Sequence, residues 1–294
     1  MDEALHGLRT AVSRREVMKA GGVAAAGAVG VGLIPGNRVI IGASLDVYPK
    51  LLADAPRATG LRMYVDQENE FPARWPEPYP GAWITLSLRP DPADLLSGRL
   101  DEQLRAIIDS APAHSELTFW HENTTGNPLG YPPDVNNAIA AVQMQRYGQR
   151  LCLGTRVRFG VITAGPVIQQ FDWLAPGLDW YGDDLYEFPR LRGPDDKIRR
   201  AKLIARLNSN LDAWRKKSGR RNPAVRICET NSPFDSHRTN WFTWLAEWLS
   251  MHNGSRMLTY WNADSGQGGL SGPWPPGPEV IQRLHWLSNE YRGI

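Results

Sequence analysis

Eight short β-rich runs follow one another between Val39 and Trp261, each separated from the next by a helical stretch or a loop. They are Val39–Ala43, Arg62–Val65, Trp83–Leu88, Glu116–His121, Arg158–Thr163, Leu178–Tyr181, Ala224–Cys228 and Met257–Trp261. Each is mostly apolar, as a strand covered on both faces should be. Helices are expected at Asp94–Ile108, Asp134–Tyr147, Asp195–Lys217, Arg238–Met251 and Glu279–Tyr291. Asp134 is placed to cap the second of these behind Pro132 and Pro133. In the fourth, Trp241, Trp244, Leu245 and Trp248 recur at spacings of three and four and form one apolar stripe, which predicts core. The second connection, Gln67 to Gly81, carries Pro72, Pro76, Pro78 and Pro80 and reads as an elaborated loop. Eight strands alternating with helices over residues 36–294 are the count and length of a single-domain α/β protein, a (β/α)8 TIM barrel. A doubly wound open sheet is the alternative, but no Gly-rich phosphate loop follows the first strand. No internal repeat or low-complexity linker suggests a second domain.

The residues before the barrel read differently. Ser13-Arg14-Arg15-Glu16-Val17-Met18-Lys19 followed by the uncharged Ala-, Gly- and Val-rich run Ala20–Ile34 matches a twin-arginine export signal. The run is shorter than the roughly 20 residues a spanning helix needs. Residues 1–35 are therefore expected to be a signal or anchor segment and 36–294 the catalytic barrel. No convincing small-x-small cleavage site follows the run, so an uncleaved anchor stays open. Partnership with the twin-arginine export machinery is implied, with an extracellular, cell-envelope or periplasmic destination. That route carries chains that have already folded, which fits the use of only two cysteines, Cys152 and Cys228.

Composition narrows the function classes. Lys and Arg number 33 against 31 Asp and Glu, a net charge of +2 that provides no general attraction for nucleic acid. The histidines show no metal-ligand spacing, so neither metal nor cofactor is expected and a metal-dependent barrel hydrolase is disfavoured. By contrast, 12 Trp and 9 Tyr supply many faces on which sugar rings stack. Trp75, Trp120, Tyr131, Trp261 and Trp274 stand near strand ends or in long loops. The polar, Gly-rich stretch Asn262–Gly269 has the composition of a substrate lid.

In a barrel of this kind chemistry belongs at the carboxyl ends of the strands. The fourth strand runs into His121-Glu122-Asn123 and the seventh into Glu229-Thr230-Asn231. Two carboxyls opposed across a barrel mouth are what a retaining glycosidase requires: one protonates the leaving oxygen while the other attacks the anomeric carbon, at a separation of about 5–5.5 Å. If the fourth strand continues regularly, His121 faces away from Glu122 and supports it by hydrogen bonding. Trp120 has two placements open to it, at the mouth or packed beneath a loop. Cys228 reads as a small buried residue. Glu122 needs an apolar wall or a nearby negative charge to stay protonated, and Asn231 and Tyr186 stand where they would favour the charged form of Glu229.

On these residues the chain resembles the clan of (β/α)8 retaining glycoside hydrolases, and most of all glycoside hydrolase family 26, the β-mannanases and their relatives. The resemblance is carried by His121-Glu122 after strand four, by Asp179-Trp180-Tyr181-Gly182-Asp183-Asp184-Leu185-Tyr186 at strand six, and by Tyr260-Trp261-Asn262 at strand eight. It implies that Glu122 is the acid/base and Glu229 the nucleophile, that Tyr186 hydrogen-bonds the nucleophile, and that Trp261 forms the platform beneath the sugar. Trp120, His121, Asn123, Asp184, Asn231 and Asn262 complete the expected substrate-binding set. Two positions depart from the family pattern: Phe119-Trp120 precede His121 where an Arg is common, and Cys228 precedes Glu229. The expectation is an exported monomer that cleaves a polysaccharide. The alternative is a barrel that binds carbohydrate without turning it over.

Overall fold

The eight strands close on themselves. They are β1 (Val39–Ser44), β2 (Gly60–Tyr64), β3 (Trp83–Leu88), β4 (Ser115–Phe119), β5 (Arg158–Ala164), β6 (Trp180–Tyr186), β7 (Ala224–Asn231) and β8 (Arg256–Tyr260). Every neighbouring pair is parallel, and β1 returns to β8 from Val39 opposite Arg256 to Ala43 opposite Tyr260. The helices are α1 (Tyr48–Asp54), α2 (Pro92–Leu96), α3 (Asp101–Asp109), α4 (Val135–Cys152), α5 (Asp196–Ser218), α6 (Asp235–Ser250) and α7 (Pro278–Glu290). The computed structural model describes residues 39–44, 48–54, 59–65, 68–120, 135–164, 172–186, 195–232, 235–260 and 277–290. The expected export segment, residues 1–35, lies outside them, as do Asp134 and its flanking prolines.

The (β/α)8 barrel is thus the observed fold, with local differences from the expected elements. The helix expected over 94–108 is two helices. Asp91 caps α2 by accepting from the Asp94 amide at 2.8 Å with Pro92 at the first turn, and Gly98 at φ +81° turns the chain before α3. The β6 strand begins at Trp180 and runs on to Tyr186, beyond the apolar run, because Asp183 on the outer face and Asp184 on the inner one interrupt the apolar pattern. An unexpected short helix, α1, follows β1. Residues 68–82 are irregular, in keeping with the prolines, and residues 172–179 lead into β6 without a helix. At α5 the signals are complete: Asp195 accepts from the Ile198 amide, basic residues fill the last turn, and Gly219 at φ +65° closes the helix on the Arg215 carbonyl.

The two faces of the barrel wall are chemically different. Outward positions such as Ile41, Leu61, Leu86, Leu117, Val161 and Leu258 form one apolar core with the helices, including Trp241, Trp244 and Trp248 of α6. The inward positions Arg62, Thr85, Glu116, Asp184, Arg226 and Glu229 are polar and buried. A middle layer of Ile162, Trp180 and Cys228 separates two charged layers inside the barrel. Two glycines make room for that layer. A Cβ on Gly160 would sit 2.2 Å from the Trp180 ring, and one on Gly182 would sit 2.8 Å from Cys228 Sγ.

The lower charged layer lies at the amino-terminal pole. Glu116 of β4 accepts from Arg226 Nε at 2.9 Å and Nη2 at 2.6 Å, from Arg158 Nη2 at 2.6 Å and from Thr85 Oγ1 at 3.1 Å. Arg226 also donates to the Ser255 carbonyl at 2.7 Å, which ties the entry of β8 to the cluster. Trp83 lies under both guanidiniums, 4.5 Å from Arg158 and 5.6 Å from Arg226, and stacks on His114. Burial opposes the Glu116 charge, but the two arginines outweigh it and hold the carboxyl below the usual carboxylate range.

Candidate active site

Strict alternation along β7 would turn Glu229 away from the barrel interior. Val225 and Ile227 pack outward and Arg226 points inward, so Cys228 is the next inward residue and Glu229 the next outward one. The pairing shows how this is avoided. Asp183 lies opposite Ile227 and Asp184 opposite Glu229 on one side, while Ile227 pairs with Leu258 and Thr230 with Tyr260 on the other. One extra residue is therefore carried by β7 between Ile227 and Thr230. This β-bulge lets Cys228 and Glu229 both face the interior. Thr230 then points outward, where its hydroxyl accepts from the Trp241 indole of α6 at 2.8 Å and donates to the Leu185 carbonyl.

Turned inward, Glu229 is 5% exposed and held at both oxygens. Arg62 Nη2 of β2 lies 3.3 Å from Oε1, and the Tyr186 hydroxyl at the end of β6 donates to Oε2 at 3.1 Å. Arg62 is itself braced by the Met63 carbonyl at 2.8 Å and the Thr85 carbonyl at 3.4 Å. Burial works against the guanidinium's charge, but Glu229 and Asp184 outweigh it and raise its pKa. For Glu229 the balance is reversed. Burial raises the carboxyl above its usual value, and Arg62, the Tyr186 hydroxyl and Arg89 offset only part of that.

The two acids of β6 are divided between the faces of the sheet. Asp183 points outward to α5, where Arg206 Nη2 at 3.2 Å and Asn210 Nδ2 at 3.0 Å hold it. Asp184 is 1% exposed and shares the interior with Arg62 and Cys228. The Cys228 thiol is pushed well up by burial and by Asp184, which keeps it protonated and unreactive. At the end of β7, Asn231 Oδ1 accepts from the Ser232 amide at 2.8 Å.

Of the placements open to Trp120, the structure has the packed one. Its ring is 6% exposed, its indole N–H donates to the Pro90 carbonyl, and the Arg89 guanidinium lies 5.4 Å over its face. The residue adopts φ +46°, a conformation that costs of order 1–3 kcal/mol in a bulky side chain. It is held by its backbone N–H, which donates to the Leu88 carbonyl at 3.0 Å. Regular strand geometry ends at Phe119, so alternation cannot be carried through Trp120 to the residues after it. His121, Glu122 and Asn123 lie outside the described residues, as do Tyr131, Trp261, Asn262, the expected lid Asn262–Gly269 and Trp274. Trp75 is 5% exposed and its amide donates to Ser110 Oγ next to α3, a packing role rather than a place at the mouth.

Sequence reasoning missed Arg62. Its signal was present: an arginine within a strand buried on both faces needs a buried acid. The same signal stood at Glu116, Arg158 and Arg226 in their strands. Among the described residues no three of His, Cys, Asp and Glu converge as a metal site.

No protein-family model and no curated protein sequence matches the chain. Solved structures do. A GH26 β-mannanase from Bacteroides ovatus superposes with a TM-score of 0.54 at 11% identity, covering 87% of this chain and 90% of that one. A fungal β-1,4-galactanase structure gives 0.52 at 14%, covering 83% and 93%. A glucosidase from Croceicoccus marinus gives 0.53 at 13%, covering 88% and 69%. Such identities speak for the backbone alone: the chain has the parallel eight-stranded barrel on which these glycoside hydrolases are built.

Proposed function

We propose that the protein is an exported retaining glycoside hydrolase that cleaves a polysaccharide, with Glu229 as nucleophile and Glu122 as acid/base. The observation that carries this reading is the bulge in β7. It turns a glutamate into the interior of the barrel toward the carboxyl ends of the strands and sets it between an arginine and a tyrosine hydroxyl. That arrangement suits a carboxylate that must attack and later leave. Arg62 stabilises the negative charge before attack, and Tyr186 holds one oxygen so that the other lone pairs aim in a fixed direction. Once the glycosyl ester forms, Glu229 is neutral, and Arg62 retains Asp184 as a nearby counter-charge. Glu122 would protonate the departing oxygen and then activate water.

β-Linked mannan and galactan, the polymers named for the structural relatives, are the first substrates to screen. The decisive test is covalent trapping. Incubation with an activated 2-fluoroglycoside of the sugar found in that screen should add one glycosyl unit to the peptide containing Glu229, read by mass spectrometry. Glu229→Gln should abolish both labelling and hydrolysis. Sugar binding without labelling or turnover in the wild-type chain would establish the carbohydrate-binding alternative instead.

A further inference from the structure

We propose that the amino-terminal pole of the barrel, on its β5–β8 side, docks on an anionic phospholipid surface. This rests on the export reading above but not on the glycosidase chemistry. At that pole the loops entering β5, β6, β7 and β8 lie side by side. The Gly177 amide donates to the Lys217 carbonyl and the Gln149 side chain to the Gly177 carbonyl, which joins the ends of α4 and α5. The Gly254 backbone abuts the carbonyls of Asn222 and Pro223, which brings the loop entering β8 against the loop entering β7.

The charge on this pole is one-sided. Its exposed acids Asp172 and Asp212 are taken by Lys217 and Arg215. Arg156, Lys216, Arg220 and Arg221 are exposed and have no acidic partner among the described residues. Beside them stand two large apolar side chains in the open, Leu153 at 83% and Met251 at 57% exposure. Basic side chains around protruding apolar ones are the composition of an interfacial contact, in which the charges meet lipid phosphates and the apolar groups enter the acyl boundary.

A bilayer is favoured over a soluble polyanion by Leu153 and Met251, whose exposed apolar surface a polyanion in water would leave hydrated and an acyl boundary would bury. Among the described residues no helix is long and apolar enough to cross a membrane.

The test is co-sedimentation of the full chain with phosphatidylcholine vesicles, with and without added phosphatidylglycerol. Wild type should prefer the anionic vesicles and lose that preference at high salt. The triple charge neutralisation Lys216→Gln, Arg220→Gln, Arg221→Gln should weaken anionic binding roughly a hundredfold, since each basic residue contributes about fivefold. The second variant, Leu153→Ser with Met251→Ser, should weaken it less and at all salt concentrations. Both variants should melt like wild type, their positions being exposed. Equal binding to both vesicle types, or unchanged binding by the triple variant, would overturn the proposal. So would tighter binding to dextran sulfate than to the vesicles. Polysaccharide hydrolysis assayed on the same samples separates the two readings: absent turnover with intact anionic-vesicle preference would count against the glycosidase alone.

Discussion

Glu116 and Glu229 are both enclosed glutamates facing arginine inside one barrel, yet their surroundings move their protons in opposite directions. At the amino-terminal pole, Glu116 accepts from two guanidiniums and a threonine hydroxyl, and its carboxyl is held below the usual range. In the opposite half of the barrel Glu229 has one guanidinium at 3.3 Å and one phenol at 3.1 Å, and burial wins, so its carboxyl is raised. The number of charge-assisted donors decides between them. A saturated carboxylate is fixed in one state and serves as a brace. A sparingly satisfied one keeps lone-pair capacity and a pKa that other groups can move, which is what a reacting group requires.

The comparison breaks most sharply at Glu229. Glu229→Gln should lower turnover by about 10⁴-fold or more while leaving the melting temperature within a few degrees, because the amide conserves shape. Glu116→Gln should do the reverse, costing about 3–5 kcal/mol in urea denaturation by leaving two buried arginines undercompensated, with specific activity of the folded fraction retained. The pH dependence sharpens this contrast. A depressed carboxyl contributes stability that is present above its unfolded pKa of about 4.3 and is lost as the pH falls through its lower folded value. Wild type should therefore lose an acid-sensitive component of stability below about pH 4 that Glu116→Gln lacks.

Arg62→Met should cut kcat/KM by about 10²-fold and shift the acid limb of its pH profile upward, since the guanidinium is the largest force opposing protonation of Glu229. In wild type that limb should already lie above the ordinary carboxylate pKa of about 4.3. Tyr186→Phe should be milder, about tenfold in kcat, with a smaller upward shift of the same limb. Equal effects of Arg62→Met on stability and on turnover would mean that both clusters are braces, and the distinction drawn between them would fail.

The barrel was legible because it rests on local signals. Short apolar runs punctuated by capped helices and turn residues recur at a spacing that only one closed architecture accommodates, and Trp241, Trp244 and Trp248 announce their buried face by helical period alone. Glu229 was legible from its place directly after the expected seventh strand, and Tyr186 only through the family resemblance. The bounds of β6 were not, because Asp183 and Asp184 interrupt the apolar run that marks a strand, and the fourth strand ends at Phe119, earlier than its composition suggests, where Trp120 takes a left-handed turn. Arg62 was overlooked because its partner lies 167 residues away.

By itself the sequence determined the order of elements, the outward apolar face of each strand and the residue types available at the rim, since all of these follow from periodicities within a few residues. Only the tertiary structure decided that Glu229 faces inward. That depends on one extra residue of β7 being accommodated between β6 and β8, and on Arg62 reaching it across the interior. Pairing between distant strands sets both, and no local period encodes it.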